Sequence, residues 1–243
     1  MSAEMSSRNS SIDRRNLLKL GAFGLAATAS NLVWPIKQMQ AAELSPIAPP
    51  AISPEAALQK LIAGNQRFVQ HHPQYPDQTA VRLQEVAQSQ TPFATVLSCA
   101  DSRVPAEIIF DQGIGDIFTV RIAGNIATPE AIGSIEYAVE LLGTPLLMVL
   151  GHERCGAVTA AVKNQSLPGE IGTFVKAILP AVTQIQDQPG DRVNNAVLAN
   201  VRYQMQQLQQ RSSLLSERLH RGKLSLVGGR YDLDTGAVTI ITR

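Results

Sequence analysis

The fold is decided by Phe93-Ala-Thr-Val-Leu-Ser-Cys99-Ala-Asp101-Ser-Arg103, read together with Leu146-Leu-Met-Val-Leu-Gly-His152-Glu-Arg-Cys155. In each stretch a short apolar run ends on side chains that carry chemistry. Runs of this length, rich in Val, Leu and Ile, read as strands buried on both faces, the kind used by parallel sheets. In open α/β sheets, chemistry collects beyond the C-terminal ends of the strands. If these two strands are parallel neighbours, Cys99, Asp101, His152 and Cys155 converge at one edge. Two thiolates, an imidazole and a carboxylate form a tetrahedral zinc set.

Working outward, Pro105-Ala106-Glu107 opens a short helix to about Asp111, and Gln112 to Gly115 reads as a turn. Asp116 to Ile122 is a second strand, closed by Ala123-Gly124-Asn125. The G-x-G at Gly113 and Gly115 precedes a strand rather than a helix, which argues against a dinucleotide site. Thr128-Pro129-Glu130 is a cap followed by proline, and Ile132, Ile135, Val139 and Leu142 continue a helix that Gly143 and Pro145 stop. A helix over Ala157 to Lys163 follows Cys155. Two more are expected over 172–186 and 191–221, the latter with the stripe Val197, Val201, Met205, Leu208 and a glutamine-rich, solvated face over Gln204 to Gln210. Leu224 to Asp232 and Ala237 to Thr242 are strands joined by the turn Asp234-Thr235-Gly236, hence a hairpin.

Upstream, Ser53-Pro54-Glu55 starts a helix whose apolar face carries Ala57, Leu58, Leu61, Ile62 and Phe68. His71-His72 ends it as a solvated pair, and residues 80–90 form a short surface helix. The expected fold class is α/β: a mainly parallel four-stranded sheet with an antiparallel C-terminal edge strand, helices on both faces and an N-terminal helical arm.

A chain of 243 residues with 44% hydrophobic content suits one such domain plus appendages. The 21 basic and 20 acidic side chains leave a net charge of +1 with no basic stripe, which excludes nucleic acid as a partner. Asp13-Arg14-Arg15-Asn16-Leu17-Leu18-Lys19 resembles the twin-arginine export motif. The run Leu20 to Trp34 behind it is too polar for a bilayer span, and Ala41-Ala42 offers small residues for cleavage. This divides the chain into an export signal over 1–42, a Pro-rich linker over 43–52 and a domain over 53–243. It implies passage through the twin-arginine machinery to the periplasm, with a thylakoid lumen or membrane anchoring by an uncleaved signal as alternatives. An exported protein with two cysteines often pairs them, so a non-catalytic protein with a Cys99–Cys155 disulfide, or a closed structural zinc site, stands beside the catalytic zinc reading.

C-x-D puts two ligand types on one side of an extended segment. H-x-x-C places two ligands about one turn apart where a strand gives way to a helix. Asp101 and Arg103 can also pair, which keeps the carboxylate ionised. Asp101 then has two states: fourth ligand on zinc, or held by Arg103 with water in the fourth position.

At these residues the chain resembles the β-class carbonic anhydrases. The matching text is CADSRVPAEIIFDQGIGDIFTVRIAGN from Cys99 to Asn125 and GHERCGAV from Gly151 to Val158, within a likeness spanning about 53–243. The resemblance implies one Zn2+ per chain on Cys99, His152 and Cys155, with Asp101 or water fourth. It implies a catalytic Asp101–Arg103 dyad and reversible hydration of CO2 to bicarbonate by zinc-bound hydroxide. It implies substrate contacts from Gly156 and, across a subunit interface, from Gln112, and a homodimer or larger homo-oligomer in which the N-terminal helix reaches over the partner. Arg121 matches the basic member of an inhibitory bicarbonate site, but Val96 stands where that site has Trp; a strand-end ion pair is its other reading. The same ligand set also serves hydrolases of CS2 and COS.

Overall fold

Strand β1 (Ala94–Ser98) is buried at every position and lies between two parallel neighbours, β2 (Ile117–Arg121) and β3 (Leu146–His152). Parallel β4 (Ser225–Tyr231) follows β3, and antiparallel β5 (Val238–Thr242) closes that edge, giving the order β2-β1-β3-β4-β5. The computed structural model describes residues 52–242. The expected export signal, and all but the last residue of the expected linker, lie outside them. The four parallel strands and the antiparallel edge strand are those expected from the apolar runs and the hairpin.

Both faces of the sheet are covered. On one, α1 (Pro54–Val69) and α3 (Ala106–Ile109) pack against Phe93, Val96, Met148 and Val227. On the other, α4 (Pro129–Glu140), α7 (Arg192–Arg211) and α8 (Ser213–His220) cover Leu97, Leu147, Val149 and Leu226. Helices α5 (Gly156–Val162) and α6 (Ile171–Thr183), with the start of α7, form a further cluster that includes Cys99 and Cys155. A short helix α2 (Ala80–Val86) has no buried residue.

Helix α1 starts as its sequence demands: Ser53 Oγ accepts from Ala56 N at 3.2 Å and Pro54 occupies the first turn. It packs on the sheet of its own chain through Ala57, Leu58 and Leu61. Asn65 donates to the carbonyls of Ile109 (3.1 Å) and Gly236 (2.8 Å) and accepts from Val238 N (2.8 Å). At Gly64 an added Cβ would sit 1.7 Å from the Phe110 carbonyl oxygen, so only glycine permits this approach.

Two expectations change. The single helix over 191–221 is broken at Ser212, whose Oγ caps α8 by accepting from Leu215 N (3.1 Å) while donating to Glu136 (2.6 Å). A partner on α4 turns a helix-interior serine into a cap, and sequence spacing within α7 carries no sign of it. Gln204, expected on a solvated face, is buried.

Asp111 ties the loop after α1 to the turn after α3. Its buried carboxylate accepts from Arg67 Nε (2.6 Å), Gln74 N (2.9 Å) and Tyr75 N (3.0 Å). Burial pushes its pKa up, but these hydrogen bonds outweigh burial and the net shift is downward. A carboxylate with a folded pKa below its unfolded value near 3.9 stabilises the fold above that value and loses the contribution as pH falls through the folded one. Asp111→Asn is therefore expected to cost roughly 2 kcal/mol at pH 7. Denaturant unfolding at pH 7 and at about pH 3 checks this: the gap between variant and wild type should narrow in acid.

Candidate metal centre

Three buried donors meet where β1 and β3 end. Cys99 is the first residue beyond β1, His152 is the last of β3, and Cys155 is the residue before α5. Because Ser98 pairs with Leu150 across adjacent parallel strands, the two chain exits lie side by side. The two thiol sulfurs and an imidazole nitrogen all fall within 4.8 Å of one another, and the cysteines are free thiols, not a disulfide.

The histidine is oriented for a metal. His152 Nδ1 lies 2.8 Å from the Glu153 carbonyl oxygen. A carbonyl only accepts, so Nδ1 carries the proton and Nε2 presents a lone pair. That Nε2 is fully buried and has no hydrogen-bond partner. An orphaned polar atom in the interior is costly, and a cation held with the two sulfurs satisfies it. The thiols agree. Cys99 is drawn down to about 4 by a hydrogen bond from Cys155, with burial opposing and the N–H groups of Gly124 and Asp101 assisting. Cys155 is pushed up, first by its bond to the Cys99 thiolate and then by burial. Two free thiols buried side by side with an imidazole nitrogen form a place that a dication would take.

Asp101 stands at the rim in the grip of Arg103. Its carboxylate accepts from Arg103 Nε (2.9 Å), Nη2 (2.8 Å) and backbone N (3.0 Å). The Arg103 hydrogen bonds hold its pKa far below the usual carboxylate range, so Asp101 is ionised. Asp101 Oδ2 is 3.9 Å from His152 Nε2. Of the two states expected from sequence, this is the arginine-held one.

Gly156 opens α5, and an added Cβ would meet nothing within 4 Å, so packing does not demand glycine and space beside Cys155 is open. Gln112 is not brought to this centre. It precedes β2, whose first residue pairs with the first residue of β1, at the sheet end opposite Cys99. Its side chain is buried and donates to the Phe110 carbonyl (2.8 Å). Any contact with substrate would have to come from a second chain.

Two residues emerge that sequence reading had placed differently or passed over. Arg121 is no strand-end ion pair: it donates to the carbonyls of Cys99 (3.2 Å) and Asp101 (2.6 Å), clamping the loop between them. Gly124 N donates to Cys99 Sγ (3.3 Å). A strand-end arginine opposite a ligand strand was the available sign of the first; a glycine closing the adjacent strand was the only sign of the second. Elsewhere, Glu153, Asp232 and Asp234 also gather, but Arg154 pairs bidentately with Asp234 (2.7 and 2.8 Å) and Arg230 pairs with Glu153. Two arginines thus tie the three carboxylates into an ion-pair network.

Comparison with known proteins agrees with this geometry. The carbonic anhydrase family model matches residues 94–238, which spans every residue of the centre. Carbonic anhydrase 2 of Mycobacterium tuberculosis is 43% identical over 195 residues, covering 79% of this chain and 94% of its own. The carbonic anhydrase of Mycolicibacterium smegmatis is 40% identical over 195 residues, covering 79% and 95%. Among solved structures, the β-carbonic anhydrase CcaA superposes with a TM-score of 0.61 at 27% identity, covering 76% of this chain and 92% of that one. CafA of Aspergillus fumigatus, also a β-carbonic anhydrase, gives 0.61 at 25% identity, covering 77% and 89%. The chain belongs to the carbonic anhydrase family, and the likeness of its fold assigns it to the β class.

Proposed function

We propose that this carbonic anhydrase hydrates carbon dioxide reversibly as a zinc enzyme, with Cys99, His152 and Cys155 as the protein ligands. The carrying observation is the buried, unpartnered His152 Nε2 beside two free thiols, all three donors within 4.8 Å of one another. Zinc in that setting supplies a Lewis acid that brings the pKa of a water molecule toward neutrality. The chain's own groups supply the rest. Cys99 and Cys155 as thiolates balance the charge of a dication, so the centre does not cling to an anionic product. Asp101, kept ionised by Arg103, offers an acceptor beside His152 Nε2 and can orient a proton-bearing nucleophile by holding its proton. The open side of Gly156 leaves room for a small linear substrate against the backbone.

Two further readings accompany this one. The working unit is a homodimer or larger homo-oligomer: exposed Tyr75, Ile108 and Ile114 border a groove of about 810 Å³ that a second copy would cover. The protein is exported, to the periplasm, through the twin-arginine machinery; the support is the Arg14-Arg15 motif with its mild apolar run. Among the described residues no helix is long and apolar enough to cross a membrane.

Purified protein should contain about one zinc per chain and two titratable thiols. Stripping the metal with a chelator is expected to abolish CO2 hydration, and adding zinc back to restore it; full activity in metal-free protein would refute the assignment. Asp101→Asn should keep the zinc yet lose about 100-fold or more in turnover, read by stopped-flow hydration beside metal analysis. Replacing Arg14 and Arg15 with lysine should leave the protein in the cytoplasm, as scored by fractionation of expressing cells; unchanged export would overturn the targeting assignment.

A further inference from the structure

Helix α7 carries two amides where its apolar stripe predicts hydrocarbon. Val197, Asn200, Val201, Gln204, Met205 and Leu208 lie on one face, and all are buried. Buried amides are retained only when their hydrogen bonds are satisfied. These bonds run to the turn behind the metal centre. Gln204 Oε1 accepts from Ala127 N at 2.9 Å. Its Nε2 donates to Asn200 Oδ1 at 3.0 Å, and Asn200 Nδ2 donates to the Gly124 carbonyl at 2.9 Å. The backbone groups at both ends fix the direction of the chain: an N–H at Ala127 requires an acceptor, and a carbonyl at Gly124 requires a donor. Neither amide can flip without breaking a bond.

The held turn is conformationally soft on its own. Gly124 sits at φ 71°, ψ 19°, a left-handed conformation that glycine adopts freely and leaves as freely. Ile178 and Ala157 crowd it so closely that a Cβ there would lie 2.6 Å from Ile178 Cδ1. The same Gly124 donates its N–H to Cys99 Sγ.

We infer that Asn200 and Gln204 are positioning residues for the metal centre, acting through Gly124. They lock the 123–127 turn so that the Gly124 N–H stays aimed at the Cys99 sulfur. Neither amide touches metal or substrate. An N–H directed at a ligating thiolate spreads its charge and fixes its orientation, and partners of this kind are commonly worth 10- to 100-fold in metal affinity. This rests on the zinc reading above, and the test separates the two.

The test uses the full-length protein loaded with zinc, or with cobalt as a spectroscopic substitute. The variants are Gln204→Met, which keeps the volume and removes all three amide hydrogen bonds, to Ala127, Asn200 and the Ala177 carbonyl, and Asn200→Asp, which keeps the shape and removes the donor. Leu208→Ala, buried on the same helix face but with no bond to the turn, is the comparison for plain loss of stability. Wild type that takes up no zinc would sink the zinc reading itself. With zinc bound, both amide variants are expected to release it to a chelator about 10- to 100-fold faster than wild type. Their sulfur-to-cobalt charge-transfer band should move to longer wavelength, because the sulfur becomes the better electron donor. Leu208→Ala should melt earlier with release rate and band unchanged. Release within about twofold of wild type and an unmoved band in a folded amide variant would overturn the inference. So would Leu208→Ala releasing zinc as fast as the amide variants. Should Asn200→Asp fail to fold, Gln204→Met alone decides by the same two readouts.

Discussion

Parallel pairing of β1 with β3 is the constraint on which the centre depends. Thr95 lies opposite Leu147 and Ser98 opposite Leu150. With that register, a ligand one residue beyond β1 and a ligand at the last residue of β3 are neighbours without any help from loops. A slip by one residue would turn every side chain to the other face and carry His152 away from Cys99. The register is specified because both strands are buried along their whole length. Leu97 and Leu147 belong to one face, Val96 and Met148 to the other. The same burial that stabilises the sheet therefore sets the distances between the donors.

Burial creates the chemistry as well as the geometry. Cys99, His152 and Cys155 sit in apolar surroundings at 5%, 0% and 1% exposure. There, two thiols cannot both ionise unless a cation arrives, and an imidazole nitrogen has no water to turn to. The site is thus unfavourable when empty of positive charge and favourable when filled, which is how a folded protein concentrates binding energy on a metal. Asp101 and Arg103 lie outside this pocket. Arg103 is half exposed, so solvent screens the pair and its value comes from the directed fork of hydrogen bonds more than from charge.

Sequence reading recovers what depends on local pattern. The strands follow from apolar runs, α1 and α4 from Ser53-Pro54 and Thr128-Pro129, and the donors from the two motifs at strand exits. It misses what depends on a partner distant in the chain. Ser212 caps α8 because Glu136 is beside it. Arg121 clamps carbonyls because β2 and β1 are paired. Gln204 lay in plain view at a stripe position, three residues after Val201 and four before Leu208, but its neighbours Gln206, Gln209 and Gln210 suggested solvent. Position on the helix outweighed composition, and the amide is inside. Gln112 depends on a partner of another kind. It lies at the far end of the sheet from the donors of its own chain, so the expected contact across a subunit interface involves a second copy that no pattern within one chain displays.

The arrangement also limits how Asp101 can move. Its carbonyl oxygen is held twice, by Val104 N at 3.0 Å and by Arg121 Nη2 at 2.6 Å. Movement of the carboxylate toward His152 Nε2, 3.9 Å away, is then a rotation of one side chain over a fixed backbone, not a shift of the loop. That rotation must break three hydrogen bonds from Arg103. Bonds to a charged acceptor contribute about 1.5–3 kcal/mol each when shielded, and less here because Arg103 faces solvent. The clamp and the fork therefore work in series: Arg121 forbids the slow route by loop motion, and Arg103 sets the height of the fast one. A carboxylate so tethered stays within 3.9 Å of His152 Nε2 and can close that distance only by giving up the Arg103 fork.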